Sequence, residues 1–124
     1  MVKRKSQSDH DKMVLYAANV LVQKGFRNVK ADLGGWTQPT KIVWKTTSEG
    51  HIPDVTGDGN PDVLVEVETD DSIFDAHTED QWNLFYNNAK QYSKEFWVLV
   101  PNRSENDAQT RLTQLGITAK IWGI

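Results

Sequence analysis

Apolar positions along the chain change period several times, and each change marks an expected element. Met13, Ala17, Val20 and Leu21 recur at the spacing of a helix with one apolar face, with Asp9 or Asp11 suited to cap its start and Gly25 its stop. A first helix is therefore expected over roughly 10–24. Phe26 to Leu33 alternates as a strand does, Gly34-Gly35 breaks it, and Lys41-Ile42-Val43-Trp44-Lys45 reads as a second strand or an extension of the first. His51 to Thr56 and Pro61 to Thr69 are strand-like runs flanking Gly57-Asp58-Gly59-Asn60, the best hairpin signal in the chain.

Beyond Thr69 the pattern returns to helical spacing. Asp70-Asp71-Ser72 offers caps for a long helix in which Trp82, Phe85, Ala89 and Tyr92 share a face. Phe96-Trp97-Val98-Leu99-Val100 is a continuous apolar run closed by Pro101, as expected of a strand covered on both faces. Ala108, Leu112 and Leu115 mark a third helix that stops at Gly116, and Ile117 to Ile124 forms a last strand. The order αβββαβαβ predicts an α/β fold with a mixed sheet and helices on both faces. Residues 1–8 lack periodicity and are expected to form a basic flexible arm, with a single domain over 9–124.

Composition narrows the function classes. The 124 residues include 14 Lys plus Arg and 17 Asp plus Glu, a net charge of −3, which argues against a strongly basic nucleic-acid coat or a polybasic membrane binder. Cysteine is absent, which excludes disulfides, thiolate metal sites and thiol nucleophiles and points to the cytoplasm. No apolar run approaches the length of a membrane span. Five tryptophans at spread positions are expected to fill a core.

The chemistry gathers around the hairpin. Side chains alternate along a strand, so Glu66 and Glu68 share a face about 6 to 7 Å apart, while Val63, Val65 and Val67 take the other. Pairing with the strand that holds Asp54 brings three carboxylates to one side of the sheet. Such a cluster repels itself unless a proton or cation is present, and oxygen-only ligands favour Mg²⁺ or Mn²⁺.

Pro53-Asp54, followed after eleven residues by Glu66-Val67-Glu68 on an apolar strand, resembles the PD-(D/E)XK nuclease superfamily, which includes restriction endonucleases and Holliday junction resolvases. The element order is similar to that superfamily's restriction endonuclease-like core. The resemblance implies Mg²⁺ held by Asp54, Glu66 and the Val67 carbonyl, phosphodiester hydrolysis in DNA, and a contribution from Gln81 on the following helix, with Phe85 or Tyr86 as its aromatic companion. Glu68 stands where the motif has a lysine that would activate water and stabilise developing charge. The substitution implies a second metal or a water held by Glu68, a lysine supplied from elsewhere (Lys45, Lys90 and Lys94 are the candidates), or an inactive site. Cutting both strands of a duplex or junction needs two sites, which points to a homodimer.

Alternative readings stand beside this one. The alternation at Glu66 and Glu68 also suits a plain edge hairpin with solvated acids. A nuclease fold that has lost activity would bind nucleic acid or protein. Asp54 to Asp62 is similar to the calcium loop of integrin-type propeller repeats, with Asp58 and Asp62 among its ligands, which would make the domain a calcium-binding module. His51 is expected to be structural or solvated, Asp9 and Asp11 to cap the first helix, and Lys3-Arg4-Lys5 to lie in the solvated tail with the capacity to touch phosphates.

Overall fold

In the computed structural model, which describes residues 7–124, a five-stranded mixed sheet lies between helices. The elements are α1 (Gln7–Gln23), β1 (Arg27–Ala31), β2 (Ile42–Val43), β3 (Gly50–His51), β4 (Val55–Asp58), β5 (Val63–Val67), α2 (Ala76–Gln91), β6 (Glu95–Val100), α3 (Glu105–Leu115) and β7 (Lys120–Gly123), with one 3₁₀ turn at Asn102–Ser104. The large sheet has the order β1-β4-β5-β6-β7. Its first three strands are antiparallel, and β5-β6 and β6-β7 are parallel. Each parallel pair is joined through a helix, the connection a parallel pair requires.

Alternation on β5 divides the core in two. Val63, Val65 and Val67 pack with Val14, Ala17, Ala18 and Leu21 of α1 on one face. Leu64 joins Trp82, Phe85 and Ala89 of α2 and Leu112 of α3 on the other. β6 is buried on both faces from Phe96 onward, which is why its sequence reads as an unbroken apolar run rather than an alternating one. Gly116 ends α3 with φ of 68°, a left-handed conformation that costs a residue with a side chain about 1 kcal/mol.

Several expected boundaries shift. The segment Lys41 to Lys45 does not join the large sheet: Ile42 and Val43 pair with His51 and Gly50 in a separate two-stranded ladder that packs on α2. The expected strand His51 to Thr56 is accordingly split between β3 and β4, and Pro53, which has no N–H to donate, lies in the break. Gly50 allows that small ladder to form, since a Cβ there would come within 1.9 Å of the Ile42 carbonyl oxygen. Asp70-Asp71-Ser72 does not start α2; the helix begins at Ala76 with Asp75 as its N-terminal flank. At the front, α1 already includes Gln7 and Ser8, and the Lys3-Arg4-Lys5 part of the expected arm lies outside the described residues. No helix among the described residues is long and apolar enough to cross a membrane.

Leu99 sits on β6, fully buried in the α1-side core. Truncation to Ala should lower unfolding stability by about 2–5 kcal/mol, read from chemical denaturation, through lost transfer energy and the cavity left behind. A loss below about 1 kcal/mol would contradict this packing.

Candidate functional site

The carboxylates meet where β4 begins and β5 ends. Val55 pairs with Val65 in the antiparallel ladder, so the residues just beyond, Asp54 and Glu66, face each other. They are joined by two bonds running in opposite directions. The Asp54 amide donates to Glu66 Oε1 at 2.9 Å, and the Val67 amide donates to Asp54 Oδ2 at 2.8 Å. Val67 lies past the last β4-β5 pair, and a side-chain oxygen thus takes up a backbone donor that would otherwise be buried without a strand partner. The Asp54 carbonyl in turn accepts from the Asp32 amide, tying the same residue to the loop after β1.

Burial is nearly complete: Asp54 is 7% exposed, Glu66 1% and Glu68 0%. Carboxylates so far from water require hydrogen bonds and countercharge, because each ionised group gives up several kcal/mol of hydration. Asp54 Oδ2 lies 3.3 Å from His10 Nε2, the polar residue on the apolar face of α1. His10 Nδ1 is within 3.5 Å of Asp11, which also accepts from Gln7 at 3.0 Å. A protonated His10 would supply positive charge next to Asp54.

Glu68 belongs to a neighbouring layer. Its Oε1 accepts from Ser72 Oγ at 2.7 Å and from Thr78 Oγ1 at 3.3 Å, while Thr78 also donates to the Ser72 carbonyl. Thr69 Oγ1 donates to Asp71 in the same turn. The polar cluster 69–72 is therefore a turn folded back over Glu68, and its Ser and Thr serve a carboxylate rather than a helix end. Gln81 follows Thr78 by three residues, on the same side of α2. It is 8% exposed, and its Oε1 is buried with no hydrogen-bond partner among the described residues.

The structure thus brings Asp54, Glu66 and Val67 together, with Glu68 and Gln81 on the flanking helix side. The other residues singled out in the sequence stand elsewhere. Asp54 and Asp58 stand at either end of β4, about 13 Å apart by strand rise, so the segment 54–62 is a hairpin and not a loop wrapped around one point. Asp58 accepts from Asn28 and Asp62 from the Gly59 amide, separately. Lys90 lies in the last turn of α2, about 18 Å along the helix from Thr78, and Lys94 lies beyond the helix before β6, so neither stands in for the motif lysine. Lys45 follows β2 on the exposed side of the small ladder. His51 is paired with Asp80 and sits edge-on to His77 and Phe85, anchoring β3 to α2.

Sequence reasoning missed His10, Ser72 and Thr78. The signal for His10 was present: it precedes Met13, Val14 and Ala17 by three, four and seven residues, which puts it on the buried stripe of α1. Oxygen donors alone suit a hard cation. Among the described residues, however, no group of three or more His, Asp or Glu side chains is arranged to hold a metal ion as they stand. Compared with family models, curated proteins and solved structures, the chain matches none.

Thr78→Val keeps the shape of the side chain and removes the hydroxyl shared by Glu68 and the Ser72 carbonyl. Stability should fall by about 1–3 kcal/mol in urea unfolding at neutral pH, the cost of leaving buried acceptors short of a donor. An unchanged midpoint would mean that this layer does not hold Glu68.

Proposed function

We propose that the protein is a metal-dependent nuclease that hydrolyses phosphodiester bonds in DNA, with Asp54, Glu66 and the Val67 carbonyl as the cation ligands. The observation that carries this reading is the pairing of Asp54 with Glu66. Two acids separated by twelve positions in sequence are buried side by side and cross-bonded through each other's strands. The order of the large sheet, three antiparallel strands followed by two parallel additions through helices, supports a restriction endonuclease-like core.

The donor chemistry fits Mg²⁺ or Mn²⁺. Every donor is an oxygen, Asp54 uses only Oδ2 for both its amide and histidine contacts, and Gln81 carries a buried acceptor, Oε1, on the same side of α2 as Thr78. A bound divalent cation would offset the carboxylate charge and polarise the phosphodiester toward attack. The chain's own residues supply position. His10 and the Val67 amide fix Asp54, the Asp54 amide fixes Glu66, and Ser72 with Thr78 aims Glu68. Glu68 cannot stabilise negative charge as the motif lysine would; its role is to accept a hydrogen bond from the attacking water and orient it. Two such sites in a homodimer would serve the two strands of a duplex or junction.

A second reading, a nuclease fold retained for binding without turnover, is favoured by the depth of burial and by the lack of a preformed three-ligand cluster among the described residues. Turnover separates the two. With Mg²⁺ or Mn²⁺, labelled duplex, single-stranded or four-way-junction DNA should be cut, and Asp54→Asn or Glu66→Gln should slow cutting by at least about 100-fold. Phe74→Ala, at a half-exposed position in the turn before α2, should leave the rate unchanged. A folded protein that cuts none of these substrates would leave the binding reading in place.

A further inference from the structure

We infer that the face formed by the β2-β3 ladder and the C-terminal half of α2 binds a single-stranded nucleic acid, with lysines on its phosphates and the exposed Tyr92 ring on its bases. Charge is distributed unevenly in this acidic chain. Neither Leu33 to Ser48 nor Gln81 to Lys94 contains an Asp or Glu, and together they carry Lys41, Lys45, Lys90 and Lys94, a local +4 against −7 elsewhere. The fold packs these two segments together, with Ile42 and Trp44 set against the α2 core. The two acid-free segments are thereby brought to one side of the molecule.

Two grooves run along that surface. One, of about 420 Å³, is bordered by Lys30, Lys41, Lys94 and Tyr92. The other, of about 380 Å³, is bordered by Trp44, Lys45, Asn87 and Gln91, and the two share Ile42, Val43 and Asn88 as a common wall. None of the five lysines on this face is in an ion pair among the described residues. The two acids that line the first groove, Asp58 and Asp62, are tied to Asn28 and the Gly59 amide.

The aromatic side chains favour a single strand over a duplex. Tyr92 is 59% exposed with Lys94 Nζ 5.5 Å from its ring centre, and Lys90 Nζ lies 4.4 Å over Tyr86. Rings beside cations offer stacking to unpaired bases, which a duplex keeps inside its own stack. Asn87, Asn88 and Gln91 add amide groups able to meet base edges. Pro53, directly before Asp54, lines the first groove, so a strand lying there would approach the carboxylates. Delivery to that site rests on the nuclease reading, whereas binding to the face does not.

Fluorescence anisotropy in EDTA, with short labelled oligothymidine and oligouridine, tests binding apart from cleavage. Both strands share the phosphate and base chemistry, and their relative affinities show whether the sugar matters. Tyr92→Ala should weaken binding about tenfold. The exposed double variant Lys41→Glu, Lys45→Glu should weaken it at least about tenfold and flatten its salt dependence. Lys24→Glu, exposed just beyond α1, should leave it unchanged. The inference is overturned if neither strand binds, if a duplex or polyglutamate binds as tightly, or if Tyr92→Ala is neutral. Binding in EDTA without cutting in Mg²⁺ would uphold this face and remove the nuclease reading; cutting unaffected by the face variants would do the reverse.

Discussion

Two hydrogen bonds between β4 and β5 organise the site: Asp54 N–H to Glu66 Oε1, and Val67 N–H to Asp54 Oδ2. Each carboxylate satisfies a backbone donor at or beyond the last ladder pair, where β4 turns away at Pro53 and the strand's own pairing stops. The acids therefore hold the end of the sheet closed, and the sheet holds the acids in place. Neither could be removed without leaving a buried amide unsatisfied.

Three buried carboxylates, Asp54, Glu66 and Glu68, give up hydration that the surrounding elements make good from different sides. α1 brings His10 to Asp54, and the turn 69–72 with Thr78 brings hydroxyl donors to Glu68. Hydroxyls lower the cost of burying an ionised group, but they carry no charge. The metal-dependent reading rests on the pairing of Asp54 with Glu66 and on the oxygen-only donor set. The basic, aromatic face on the far side of Pro53 fits the same account, since an acidic chain that meets a polyanion needs its positive charge gathered locally.

Much of this was legible from residue order. Helical spacing located α1 and α3, the apolar run Phe96 to Val100 located β6 as a strand covered on both faces, and alternation put Glu66 opposite the valines of β5. Other features depend on contacts between distant residues. The strand expected over His51 to Thr56 is broken because Gly50 and His51 pair with Val43 and Ile42, and local pattern does not show which partner a short strand will find. Asp70-Asp71-Ser72 has the composition of a helix cap, yet Ser72 is drawn to the buried Glu68, which pulls the turn over the site and delays α2 until Ala76. His10 shows the opposite case, a polar residue on an apolar stripe whose partner lies 44 positions away.

The most direct test of the central claim is a Mn²⁺ titration followed by electron paramagnetic resonance, which reads cation binding without any substrate. The account predicts saturable binding of the ion, lost in Asp54→Asn and in Glu66→Gln and kept in Asp58→Asn, because Asp58 is held at the other end of β4. Absence of binding by the folded protein, or binding that survives both carboxylate variants and fails with Asp58→Asn, would contradict it.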